Sequence, residues 1–281
     1  MKKLAFIFLS LALSCTSATK SNGKSNVDAT PLKEPKVDIQ IRDSNIPKGL
    51  ASLVGRNVKA LFIYNLPDSY LIKAKTLFNP PDYALQEVLN LQTDRKEWFD
   101  EMIVTFCGEC KNIQVDIPIK SLKENDLLYF IDKSSLSQDF TEADMLKLAK
   151  DFKGVEVLWV ILGSENYEQK RAATAESTMV SAMAENTVTL RNFLYDLKTK
   201  KWLHRGQFSV SDRDFAIYER ADEKKKPKVL TDQIRGQFWP MPVGASYDSP
   251  KYDEQYPYPP VPESSFLAKK ALSAIGESLT P

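Results

Sequence analysis

Gly154-Val155-Glu156-Val157-Leu158-Trp159-Val160-Ile161-Leu162 decides the fold of this chain. A glycine closes the preceding element, and the run after it is apolar at nearly every position. A strand with one solvated face alternates polar and apolar residues, whereas one covered on both faces reads as an unbroken apolar run. Directly upstream, Thr141-Glu142-Ala143-Asp144 supplies capping residues for a helix carrying Leu146, Ala149 and Phe152. Helix, glycine turn and buried strand make a βα-type unit. Such a strand needs a sheet with helices on its faces.

The elements to either side fit that sheet. Val58–Leu66 is a second strand, nearly continuously apolar at Ala60-Leu61-Phe62-Ile63-Tyr64 and closed by Pro67. Ile113, Val115 and Ile117 alternate as a half-exposed strand, and Val37-Asp38-Ile39-Gln40-Ile41 alternates as an edge strand. Two helix starts lie between, at Pro80-Pro81-Asp82 with Leu85, Val88 and Leu89, and at Asp94 with Glu97. The second carries Trp98, Phe99, Met102, Ile103 and Phe106 at helical spacing, an apolar stripe to cover a sheet. Leu127–Ile131 is a short apolar run whose type its pattern does not decide.

Downstream, Thr187–Leu197 and Trp202–Val210 are β-branched and aromatic around a short polar connector, which predicts an antiparallel hairpin. The alanine-rich stretch 170–186 reads as a loop or broken helix, and Asp212-Arg213-Asp214 as a polar turn. Residues 221–262 form a charged and then Pro- and Tyr-rich strap, and nine of the sixteen prolines lie from Pro227 onward. Phe266, Leu267, Ala271, Leu272 and Ile275 return to helical spacing in a closing helix, 263–281, that packs back on the domain. The expected fold is therefore α/β (α+β): a mixed sheet covered by helices, with an antiparallel hairpin and a Pro-rich strap leading to a C-terminal helix. The main domain is 37–220.

The N-terminus reads as an address. Lys2 and Lys3 precede the apolar run Leu4–Leu13, too short to span a bilayer and suited to an export signal over 1–14. Leu11-Ala12-Leu13-Ser14-Cys15 resembles the lipobox of bacterial lipoproteins in its looser spirochaetal form, which implies lipidation at Cys15. The alternative is an ordinary signal peptide cut near Ala18. Residues 15–36, rich in Ser, Thr, Lys, Asn and Pro, form a polar tether. Two or more acyl chains hold a soluble domain firmly at a membrane.

Composition narrows the chemistry. Of 281 residues, 43% are hydrophobic and 27% charged, and 38 Lys and Arg against 37 Asp and Glu leave a formal charge of +1. That balance gives no electrostatic case for nucleic acid. One His and three Cys leave little for a metal centre, and neither a cofactor, a metal nor a catalytic residue is expected. Cys107-Gly108-Glu109-Cys110 is the one compact reactive motif. It follows the Asp94–Phe106 helix, at the end whose field disfavours a thiolate, so a disulfide locking the helix-to-strand turn is preferred over thiol-disulfide exchange or zinc. His204 has no sequence partner that makes it a base. Tyr247, Tyr252, Tyr256 and Tyr258 are the candidate partner surface, with packing of the strap as the alternative.

Phe140–Tyr167 resembles the helix, glycine and buried strand of bacterial envelope lipoproteins of the curli-secretion-channel and penicillin-binding-protein-activator type. Thr187–Asp212 is similar to their paired strands, with Asp196, Thr199, Lys201, Trp202 and Gly206 matching and Lys200 in place of the customary turn glycine. The resemblance covers residues 55–281. It implies a non-enzymatic lipoprotein of the cell envelope, held at the outer membrane by its lipid anchor, that binds or helps assemble another envelope protein and forms a homo-oligomer. The alternatives are an envelope thiol-disulfide oxidoreductase using Cys107 and Cys110, and a surface adhesin for host macromolecules. Arg191 and Asp196 interrupt any membrane-facing pattern in the hairpin, which argues against a pore.

Overall fold

The computed structural model describes residues 34–46, 48–64, 95–116, 138–172, 179–220 and 256–280. Six strands form one mixed sheet: β1 (Lys36–Ser44), β2 (Val58–Tyr64), β3 (Ile113–Asp116), β4 (Val157–Ala172), β5 (Met179–Asp196) and β6 (Lys201–Glu219). Their order is β1-β6-β5-β4-β2-β3. β2 runs parallel to both β3 and β4, while β4, β5, β6 and β1 follow one another antiparallel. The α/β architecture expected from the sequence is the one observed.

Among the described residues, three helices and a short 3-10 turn cover the sheet. Helix α1 is seen over residues 95–106, α2 spans Glu142–Ala149 and α3 spans Ser264–Ser278. On the front face, Phe99, Met102 and Ile103 of α1 and Leu267, Ala271, Leu272 and Ile275 of α3 pack over Phe62, Trp159, Leu190 and Phe208. On the back face, Met145 and Leu148 of α2 join Phe140, Leu61, Val160 and Phe193. The crossovers from β2 to β3 and from β3 to β4 travel in opposite directions along the sheet and use opposite faces. A single hand for both crossovers requires that.

The deciding run is buried on both faces, since Val157 through Leu162 are all fully enclosed. The cap at α2 is a reciprocal box: Asp144 N donates to Thr141 Oγ1 (3.3 Å) and Thr141 N donates to the Asp144 carboxylate (2.7 Å). Gly154, with φ +75°, sits in the left-handed region that a side chain disfavours, and the chain turns there into β4.

Two expectations are corrected. The 170–186 stretch is not a loop or broken helix, because its described residues extend β4 to Ala172 and start β5 at Met179. Alanine has little strand preference of its own, but Ala182 and Ala184 alternate with Met183 and Glu185, and pairing with β4 and β6 overrides local propensity. Asp212-Arg213-Asp214 is likewise mid-strand in β6, where Arg213 lies opposite Glu185 and its Nε donates to that carboxylate (2.9 Å). The helix start at Pro80 and the 127–131 run lie outside the described residues.

Candidate functional site

Cys107 and Cys110 flank the turn between α1 and β3, and their sulfurs are bonded, with Cα atoms 5.4 Å apart. Cys107 N donates to Ile103 O (2.8 Å), so the first cysteine continues the C-terminal turn of α1. Both cysteines are buried within the front core, and Cys110 Sγ lies 3.3 Å from the Leu50 carbonyl oxygen. The pair fixes the point where the helix hands over to the strand. An attacking thiol needs approach from solvent and a field that stabilises thiolate, and this turn offers neither.

The only histidine stands at the centre of the front face, fully buried on β6. A chain of hydrogen bonds runs through it. Trp159 Nε1 donates to Asn192 Oδ1 (2.5 Å), and Asn192 Nδ2 lies 2.8 Å from His204 Nδ1. His204 Nε2 lies 3.3 Å from Ser278 Oγ, which donates to Ile275 O (2.7 Å). The Trp N–H admits only a donor at that end, so Asn192 presents its oxygen to Trp159 and its amide hydrogens to His204. His204 Nδ1 is then the acceptor and Nε2 carries the proton, giving a neutral ring. Burial lowers its pKa to about 4, against a smaller upward pull from Asp43. The chain ties β4, β5 and β6 to the last turn of α3. A base needs an exchange path to substrate, and this ring is sealed, so its role is structural.

The strap tyrosines divide. Tyr247 and Tyr252 lie outside the described residues. Tyr256 is 2% exposed and packs edge-on against Tyr218 with ring centroids 5.6 Å apart. Tyr258 lies under the Arg171 guanidinium, 3.7 Å from its carbon to the ring centroid. Arg171 Nε donates to Tyr256 O (2.7 Å), Tyr218 Oη to Pro257 O (2.5 Å) and Asn186 Nδ2 to Pro262 O (3.1 Å). Tyr256 is thus corrected from partner surface to internal packing: the long ends of β5 and β6 present Val180, Ala182 and Ala216, and its ring covers them.

The residues behind the family resemblance shape the β5–β6 hairpin. Asp196 accepts from Lys198 N and Thr199 N (2.9 Å each) and from Arg56 Nη2 (2.9 Å). Burial would raise its carboxyl, but the Thr199 N–H, the Arg56 guanidinium and the Lys198 N–H together hold it below the usual carboxylate range. Lys200, where a glycine is customary, takes φ +54°. Trp202 packs on Tyr195 at 4.8 Å between ring centroids. At Gly206 an added Cβ would stand 2.9 Å from Gln40 O, so the missing side chain lets β1 approach.

No family model matches the chain, and no curated protein does. Among the solved structures that align is that of a neuraminyllactose-binding hemagglutinin homolog from Helicobacter pylori, at 12% identity over 85% of this chain and 91% of its own, with a TM-score of 0.25.

The sequence reading missed β1 as a surface. Val37, Ile39 and Ile41 are 46%, 45% and 47% exposed on the front face at the sheet edge. The alternation that marked this strand was the available signal. Among the described residues no three or more His, Cys, Asp or Glu gather as a metal site, and no helix is long and apolar enough to cross a membrane.

Proposed function

We propose that this protein is a non-enzymatic lipoprotein of the cell envelope, anchored by acyl groups on Cys15, whose sheet domain binds or helps assemble another envelope protein. The observation that carries the reading is the leader: two lysines, a short apolar run and a small residue before Cys15. A polar tether separates that cysteine from β1, which suits a domain held off a membrane surface. The buried disulfide turn supports an exported, oxidised chain over a thiol enzyme. The sealed histidine supports a binding role over a catalytic one.

Metabolic labelling with a radioactive fatty acid tests the anchor. The label is expected on the wild-type chain and absent from Cys15→Ser, which should leave the membrane fraction. A wild-type chain that takes up no label overturns the reading.

A further inference from the structure

Among the described residues, β1 is the longer of the two edge strands of the sheet, nine residues with no proline inside it against four in β3. Natural edge strands are usually blunted by proline, inward charges, bulges or cover, because unpaired N–H and C=O groups template another strand. β1 carries one such device, the irregularity after Ile41, and the six residues before it pair in regular register. Here the front side of the edge carries Val37, Ile39 and Ile41, each left nearly half exposed. Their inner neighbours are Val210, Phe208 and Gly206, and the last of these has no side chain to cover Ile41. The back side carries Asp38, Gln40 and Arg42. An irregularity between Ile41 and Asp43 places Asp43 opposite Arg205 on that same side.

From this edge we infer that β1 pairs antiparallel with β1 of a second copy, about a twofold axis through Gln40, joining two six-stranded sheets into one. The sequence is self-complementary in that register. Asp38 faces Arg42 of the second copy, twice by symmetry. Ile39 faces Ile41 on the apolar side, also twice, and Gln40 faces Gln40. A twofold perpendicular to the sheet preserves faces, so only registers shifted by even steps are allowed. Slipping one step sets Lys36 against Arg42, and slipping the other way sets Asp38 against Ser44; both lose the charge match. Arg42 already reaches Asp139 in its own chain. Its five N–H donors in a planar fork allow it to hold a second carboxylate as well.

This deepens the assembly reading by naming a second copy as partner and β1 as the surface. It does not depend on acylation, so the labelling result and the result below can fail separately. Directly opposite residues in an antiparallel pair lie about 4.5–5.5 Å apart at Cα, within the range a disulfide spans. In the full chain made in its exporting host, Gln40→Cys under mild oxidant is expected to give a two-chain band on a non-reducing gel. Wild type sets the baseline, and Lys36→Cys, about 26 Å from its own symmetry mate, is expected to stay at it. Asp38→Arg or Arg42→Asp added to Gln40→Cys should lower the band about tenfold. Both changes in one chain should restore it, and the two single variants co-expressed should pair with each other. Circular dichroism of each variant checks that the sheet is intact. A Gln40→Cys chain that stays monomeric overturns the inference. So do equal bands from Lys36→Cys, an adduct with a different protein alone, or a double swap that restores nothing.

Discussion

A neutral ring in a closed hydrogen-bond chain makes His204 a source of acid sensitivity. Its pKa is pushed from an ordinary value near 6.5 to about 4 by burial. Above both values neither the folded nor the unfolded chain holds the proton. As pH falls below 6.5 the unfolded chain binds it and the folded chain does not, so stability declines until the pH reaches the folded value. Between pH 7 and pH 5 the loss should be about 2 kcal/mol. Because the chain holds a single histidine, no other imidazole shares that window. Urea midpoints across it should fall in wild type and stay nearly flat in His204→Asn, itself less stable throughout. A wild-type midpoint that does not move would show that the ring is not sealed. Sequence reading identified His204 as a poor base but not as buried, because its partners Asn192, Trp159 and Ser278 come from three other elements. Nothing in local spacing brings them together. Cys107 and Cys110, three positions apart on one turn, carried their pairing in the spacing itself.

At the scale of elements, the front layer depends on how close α1 and α3 approach. Gly276 on α3 sits against the Phe106 ring, and an added Cβ would stand 2.1 Å from Phe106 Cδ2 and 2.5 Å from Cε2. Alanine has the better helix propensity by about 1 kcal/mol, yet the ring must swing away to admit it. Overpacking of this kind costs about 1–3 kcal/mol. Gly276→Ala should therefore destabilise, and Phe106→Leu in the same chain should recover most of the loss. Equal effects of Gly276→Ala with Phe106 and with Leu at that position, in a double-mutant cycle of thermal unfolding, would rule the clash out. The individual elements were largely legible: the stripe at Phe99, Met102 and Ile103, the cap at Thr141 and the run after Gly154 each carry a period or a signal of their own. The long ends of β4, β5 and β6 were not. Ala182, Ala184 and Arg213 have side chains that only pairing turns into strand residues, and the alternation that betrays them is muted by alanine.

Across the described domain, β2 pairs with β4 from Val157 to Gly163, while β4, β5 and β6 run on to Ala172, Met179 and Glu219. Among the described residues, three strands thus extend past the part of the sheet that α1, α2 and α3 cover, as an arm. On its front face, among the described residues, Tyr256 and Tyr258 provide the cover. The anchors are Arg171, whose Nε holds Tyr256 O and whose guanidinium stacks on Tyr258, and Tyr218, which donates to Pro257 O. Two packing regions of unequal depth share the same strands, so amide protection should follow position along each strand. Residues 157–162, 188–195 and 203–210 should exchange slowest, and 166–172, 179–186 and 212–219 faster. Tyr256→Ala empties a site enclosed by Val180, Ala182, Ala216 and Tyr218. Truncation of a buried aromatic costs about 3 kcal/mol, which corresponds to roughly a hundredfold faster opening of the arm. The core segments of the same strands should keep their rates, since Trp159, Leu190 and Phe208 pack under α1 and α3 and not under the strap. Hydrogen exchange read by mass spectrometry separates the outcomes. Acceleration confined to the arm makes it a sub-domain secured by the strap, whereas a uniform rise over all six segments would mean that core and arm unfold as one unit.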